Sequence, residues 1–384
     1  MYSYSEEIDV NLLSLEEKDG INLVEKLVLN PRIAHKRSQG IDKILEKELK
    51  DSAIPSTKVL ILGSGDSGKS TFVRHMRISY FKTFTLEELG YFKFVIHGNI
   101  ISVLKKLAEK LELLRNSNDE FKFSPGSEGN QPCDKKHFQI LQQFVLKKDL
   151  PPEIVTAIQM IWNDENIKSC YEQRRQLNLE IQETAAYYLS DLPRILSSTY
   201  TPSEQDILCL RNSTKQVTET VITTKFMKFK LFDAAGQTHL RNSWAAFFDD
   251  AATVLFVCAI SSYDQNLIEN PAVNRLVDAV TLFETIVNNK ILKKAGMILF
   301  FNKMDIFQEK IKTIPIQNYF NDYLGGSDLK LAKSYFKNLF TSKATEKEIE
   351  HVLFTTSTDP VSMKKVVSSV TDVIIRLNMK CIVA

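Results

Sequence analysis

The sequence predicts an α/β protein with a mostly parallel sheet, interrupted by an all-helical domain. Three observations carry this expectation. Over residues 205–384, short apolar runs alternate with helical patterns, the rhythm of a parallel sheet covered by helices. Residues 86–204 contain almost no strand-like run. One apolar run, Lys58–Leu62, stands before that helical stretch and belongs with the strands after it.

Composition sets the outer limits. A chain of 384 residues has room for two or three domains. With 43% apolar and 25% charged residues it has the balance of a soluble globular protein with a real core. The net charge of +2 gives no strong field that would point to nucleic acid. Cys133, Cys170, Cys209, Cys258 and Cys381 share no metal-ligand spacing, and their odd number fits a reducing compartment. The six histidines are scattered, which argues against a zinc enzyme. The start MYSYSEEIDV lacks the basic and apolar regions of a secretory signal. The longest apolar stretch, around Ala251–Ile260, is too short to span a bilayer.

The elements follow in order. Residues 1–31 read as an N-terminal extension, disordered or loosely helical. Within 32–57, Ile41, Ile44, Leu45 and Leu49 recur at helical spacing among Lys and Glu, an amphipathic helix with a narrow apolar stripe. Residues 58–85 hold the first part of the sheet domain, with a buried strand at Lys58–Leu62 and a helix from about Lys69. In the helical domain, 86–204, Ile96, Ile100, Leu104, Leu107, Leu111 and Leu114 mark one long helix. Asn116–Pro132 reads as a loop, and helical pattern continues through Leu189. Residues 205–384 hold the second part of the sheet domain. Val217–Thr224 and Lys225–Phe232 read as paired strands, and Thr253–Ile260, Met297–Phe301 and Val352–Phe354 as buried ones. A last helix starts at Asp359–Pro360 and buries Val366, Val370, Val373, Ile374 and Leu377.

Five segments carry chemistry. Gly63, Ser64, Gly65, Asp66, Ser67, Gly68, Lys69 and Ser70 match G-x-x-x-x-G-K-[ST] between a strand and a helix. There, backbone amides and the helix N-terminus meet phosphate oxygens, Lys69 adds a full charge, and the Ser70 hydroxyl can ligate Mg2+. Asn302-Lys303-Met304-Asp305 follows an apolar strand. Asp305 can accept from the ring N–H and exocyclic amine of guanine, a donor pair adenine lacks. At the end of the last strand, Thr355–Thr358 offers a backbone N–H to the guanine carbonyl, with Ser357 the residue of choice. Asp233-Ala234-Ala235-Gly236-Gln237 follows another strand. Asp233 is placed to hold Mg2+ through water, the Gly236 amide to bond a γ-phosphate, and Gln237 to orient the attacking water. In Asp206–Thr214, Arg211 can neutralise charge on a transferring phosphoryl group, and Thr214 is a second hydroxyl for Mg2+.

In chain order, Gly63–Ser70, the helical insert, Asp206–Thr214, Asp233–Gln237, Asn302–Asp305 and Thr355–Thr358, the motifs resemble those of heterotrimeric G-protein alpha subunits. Thr184–Leu189 followed by Asp191-Leu192, Val257–Asp264, Leu282–Glu284 and Thr371–Ile375 also look like family segments. The resemblance runs over roughly residues 35–384. It implies a Ras-like P-loop domain interrupted by a helical domain, and a GTPase that relays signals from membrane receptors to an effector the sequence does not name. It implies that Arg211 and Gln237 are catalytic, the arginine being supplied in cis as in the family. It adds Thr71, Glu183, Thr184, Leu208 and Cys209 to the residues that bind GDP or GTP. Segments 206–217 and 233–245 would be switches. Helix 32–51 would meet a beta-gamma dimer, and the last helix with Lys380–Ala384 a seven-helix receptor.

Some positions depart from the pattern. Asp66 stands where the family has Glu, a shorter reach toward Arg211. Gln216 and Ala235 stand where it has glycine, which narrows the backbone freedom of the switches. Asn242-Ser243 and Ala245-Ala246 replace contact residues for beta-gamma. Tyr2 rules out N-myristoylation at this start, and no cysteine precedes Cys133. The expected location is therefore cytoplasmic, peripheral on the inner face of the plasma membrane through beta-gamma. Two other readings compete: a guanine-nucleotide-dependent binding protein with very slow or no hydrolysis, and a P-loop ATPase or kinase, against which Asp305 argues.

Overall fold

The computed structural model describes residues 54–81, 84–116, 135–174, 176, 177, 179, 181–212, 214, 216–224, 227–267, 269–356 and 359–383. The expected extension at 1–31, the amphipathic helix at 32–51, most of the 116–132 loop and Ser357 lie outside the described residues.

Strand β1 (Ser56–Leu62) shows why its sequence reads as a continuous apolar run. Val59 and Ile61 enter one core, and Leu60 and Leu62 enter another on the opposite face. A parallel strand covered on both sides has no polar face to alternate with. Helix α1 (Lys69–Phe81) follows and buries Phe72, Val73 and Met76 on the Val59 side.

The helical domain comes next. Helix α2 (Leu86–Asn116) has 31 residues, about 46 Å at 1.5 Å per residue. Its stripe of Ile96, Ile100, Leu104, Leu107, Leu111 and Leu114 is fully buried, as the spacing predicts. Helices α3 (Lys135–Gln143), α4 (Pro152–Asn163) and α5 (Glu165–Glu172) close over it with Phe138, Leu141, Ile158, Ile161 and Ile167. Short helices α6 (Ala185–Leu189), α7 (Leu192–Ile195) and α8 (Glu204–Cys209) complete this core. Among the described residues, no strand lies between β1 and residue 218.

The remaining strands are β2 (Thr218–Thr223), β3 (Lys228–Asp233), β4 (Ala251–Ala259), β5 (Gly296–Asn302) and β6 (His351–Phe354). They form one sheet with β1, in the order β2-β3-β1-β4-β5-β6. Only β2 and β3 pair antiparallel. Strand β3 starts at Lys228 rather than at Lys225, because the turn closes first. The Thr224 hydroxyl donates to the Met227 carbonyl at 2.9 Å and accepts from its N–H at 3.1 Å.

Helices α9 (Arg275–Val287), α10 (Met304–Lys310) and α11 (Leu329–Thr341) cover the sheet face carrying Leu60, Leu62 and Phe256. Helix α12 (Pro360–Val383) joins α1 on the other face. It buries Val370, Val373 and Ile374, while Val366 is half-buried; the Leu377 side chain is outside the described residues. No helix among the described residues is long and apolar enough to cross a membrane.

Candidate functional site

The motifs at 63–70, 233–237 and 302–305 leave the carboxyl ends of β1, β3 and β5, while the motif at 206–214 lies on α8 and the segment between it and β2. The first loop is tight for a steric reason. Gly63 has φ 143°, and a Cβ there would stand 2.0 Å from the Val257 carbonyl oxygen of β4. Gly68 also has positive φ, 101°. Lys69 is buried and donates to the carbonyls of Gly63 at 3.0 Å and Ser64 at 2.7 Å. Burial pulls its pKa down to about 8, against the pull of Asp233 and Asp66. Thr71 is half-buried in the first turn of α1.

The Ser70 hydroxyl lies 2.5 Å from Asp233 Oδ2 and 2.9 Å from the Thr214 hydroxyl. These three residues are far apart in the chain, and the fold brings them together. Asp233 is buried, and its Oδ1 has no hydrogen-bond partner. Burial raises its pKa, despite Lys69 and Ser70. An orphaned buried carboxylate oxygen beside two hydroxyls is an all-oxygen donor set, which fits Mg2+.

The β5 motif is tied to the same loop. The Asn302 side-chain amide donates to the Ser67 carbonyl at 2.8 Å. Lys303 adopts the left-handed region (φ 61°) and pairs with Glu183 of the helical domain at 2.7 Å. Lys303 holds the Glu183 carboxyl below its usual range although burial opposes it. Thr184, at the start of α6, follows. Asp305 is exposed and accepts from the Thr356 hydroxyl at 3.3 Å.

Arg211 reaches the first loop from the opposite side. Its Nη2 lies 2.8 Å from Asp66 Oδ2 and its Nε 3.3 Å from Oδ1. The shorter aspartate therefore still pairs with the arginine. Burial raises the Asp66 pKa, but Arg211, Lys303 and Arg275 outweigh it and hold the carboxyl below its usual value. Gln237 lies beside Gly65, whose Cβ position is 3.9 Å from the Gln237 Cγ. Leu208 and Cys209 are placed differently: both are buried. Ala235 does not have positive φ, so this conformation does not call for glycine there.

The comparisons with known proteins meet this geometry. The family described as G-protein alpha subunit matches residues 35–374. This chain belongs to that family. The alpha subunit is 34% identical over 328 residues to the G-protein complex alpha subunit gpaA of Aspergillus fumigatus, covering 84% of this chain and 89% of the relative. It is 32% identical over 372 residues to a guanine nucleotide-binding protein subunit alpha of Cochliobolus heterostrophus, covering 96% and 98%. It is also 34% identical over 327 residues to the guanine nucleotide-binding protein alpha-1 subunit of Neurospora crassa, covering 84% and 89%.

Several further contacts brace the alpha subunit's site. Arg275, at the start of α9, donates to the Gly65 carbonyl at 2.9 Å and lies 3.7 Å from Asp66. Arg241 holds the Gly236 carbonyl at 3.1 Å and forks onto Asp278 at 2.9 and 2.6 Å. Trp244 is buried and donates its indole N–H to the Ala235 carbonyl at 2.9 Å. Asp206 is an anchor with no exposed surface. Arg194, Tyr187, Tyr200 and the Ser203 N–H all donate to it. The fold uses Asp206 to fix the start of α8.

Proposed function

We propose that the alpha subunit binds GDP and GTP with Mg2+ between the loops of β1, β3 and β5, hydrolyses GTP, and changes partners with the nucleotide state. The observation that supports this reading best is the Asn302–Ser67 bond, which ties the loop leading to Asp305 to the loop that carries Lys69. The loop amides and Lys69 bind the β- and γ-phosphates. Asp305 selects guanine, and Ser357 supports that choice from the next loop. Ser70 and Thr214, with Asp233 through water, hold Mg2+, which when bound neutralises charge on the phosphate oxygens. Arg211 moves its guanidinium from Asp66 to the transferring phosphoryl group, and Gln237 orients the attacking water. The Gly236 amide, backed by Arg241, senses the γ-phosphate, and Trp244 follows that segment.

On this reading the alpha subunit relays signals from a seven-helix receptor, met by α12 and the residues after it, to an effector, with a beta-gamma partner. It works from the cytoplasm on the inner face of the plasma membrane. Competition binding and tryptophan fluorescence test the proposal. Guanine nucleotides should win over adenine ones by about 10⁴-fold. A non-hydrolysable GTP analogue with Mg2+ should change the Trp244 signal. Arg211→Ala and Gln237→Leu should each slow single-turnover hydrolysis by roughly 10–100-fold. Equal uptake of ATP, or hydrolysis indifferent to both substitutions, would overturn it.

A further inference from the structure

We infer that Arg74 and Asn99 are positioning residues for Arg211, holding the peptide units on either side of it so that its guanidinium reaches the phosphate loop. The inference rests on the hydrolytic reading of Arg211 and deepens it.

The problem the fold must solve is local. Arg211 follows the six-residue helix α8, and the chain leaves that helix extended, with ψ 122° at Leu210. Its side chain is 42% exposed, so packing does not fix it. The last carbonyls of a helix have no partner within it. Arg74 of α1 supplies one: Nη1 donates to the Leu210 carbonyl at 2.7 Å and to that of Ile207 at 3.2 Å. Asn99 of α2 donates its Nδ2 to the Arg211 carbonyl itself at 2.9 Å. One residue further on, the Asn212 amide donates to the Tyr91 hydroxyl at 2.8 Å. The carbonyls of residues 210 and 211 bracket the arginine Cα, and a different helix holds each of them.

The origin of Arg74 matters. It lies on the same helix as Lys69 and Ser70, about one turn along. A rigid element that carries the phosphate-binding lysine therefore also sets the backbone of the arginine opposite it. Arg74 thus ties the backbone beside Arg211 to the helix that carries Lys69, while the guanidinium itself stays free to move. A residue that only cemented the two domains would need no contact at these two peptide units. Misplacing a catalytic group by about 1 Å can cost on the order of 10²-fold in rate.

The test is a double-mutant cycle read by single-turnover GTP hydrolysis, with guanine-nucleotide affinity measured alongside. Arg74→Ala and Asn99→Ala should slow hydrolysis by about 10-fold or more while changing GTP affinity by less than about 3-fold. Arg74→Lys, which keeps a charged donor for the Leu210 carbonyl, should recover much of the rate. In an Arg211→Ala background, neither substitution should slow the reaction further. Equal slowing with and without Arg211, or no slowing by either substitution, would overturn the inference while leaving the role of Arg211 intact. Hydrolysis indifferent to Arg211→Ala alone would sink both. Should Arg74→Ala fail to fold, the half-buried Asn99 carries the same cycle.

Discussion

Replacing Asp206 by Asn keeps the shape of the side chain and removes its charge. In the native protein, Oδ1 accepts from Arg194 Nη2 at 2.9 Å and the Tyr187 hydroxyl at 2.7 Å. Oδ2 accepts from Arg194 Nη1 at 2.8 Å, the Tyr200 hydroxyl at 2.9 Å and the Ser203 N–H at 2.8 Å. An amide keeps one acceptor oxygen. The best orientation retains the three bonds at Oδ2 and sets an NH2 against Arg194 and Tyr187. Tyr187 can turn to accept, but Arg194 cannot. Hydrogen bonds to charged groups contribute about 1.5–3 kcal/mol each, and a buried carboxylate that loses its charge weakens the three that remain. Arg194 is 39% exposed, so water recovers part of its loss. The net cost is about 3 kcal/mol, or roughly 6–12 °C in the unfolding of the helical domain. Trp162, packed edge-on against Tyr171 in that domain, reports the transition in a Trp244→Phe background. The donors hold the Asp206 pKa well below 3.8 although burial opposes them. Its contribution is therefore complete above that value and is lost as the pH falls through it toward the folded value. The gap between native and substituted proteins should be constant from neutral pH to about 5 and close in acid. A melting shift under about 1 °C at pH 7, or a gap that does not narrow between about pH 5 and pH 2, would refute this account.

Asp233→Asn should act in the opposite direction on stability. Burial raises the folded carboxyl pKa above the unfolded 3.8, so ionisation costs stability at neutral pH, and that cost fades in acid. The ligand-free variant should melt higher at pH 7, by roughly 2–4 °C for each 1 kcal/mol relieved, while losing the Mg2+ dependence of nucleotide binding by calorimetry. Lys310 is buried and bonds Asp264 at 2.5 Å and the Ser261 carbonyl at 2.8 Å. Lys310→Met alone should cost about 3–5 kcal/mol in denaturant unfolding, and adding Asp264→Leu should restore most of it. Gly236→Ala sets a methyl 2.4 Å from Lys69 Nζ and 2.6 Å from the Gly63 carbonyl oxygen. It should abolish the Trp244 response to a GTP analogue and weaken nucleotide binding, measured by fluorescence titration.

What could be read from the residues followed locality. The run KVLIL, the glycines after it and Lys69 are contiguous, so strand, loop and helix were legible together. The same holds for MILFFN followed by Lys303 and Asp305. The stripe from Ile96 to Leu114 was legible because one periodicity persists over α2. Arg74 and Ile207 are 133 positions apart, and Gly65 and Arg275 are 210 apart. No pattern in either neighbourhood encodes such a pair. The run Thr238–Phe247 coils into a 3-10 helix that its mixed polarity does not announce. Asp206 was visible as a motif residue, but its five donors come from three separate stretches of chain, so its structural duty was hidden.

The phosphate loop is braced from outside at three points: the crowding of Gly63 against β4, the Asn302 amide on Ser67, and the Arg275 guanidinium on Gly65. A loop shaped by its neighbours has little conformational entropy left to lose when an anion arrives. Association should then be limited by passage into the cleft rather than by ordering of the cradle, with a weak temperature dependence of the on-rate. The same bracing transmits strain in reverse: a substitution deep in β4 or β5 would be felt as a loss of affinity before it was felt as a loss of fold.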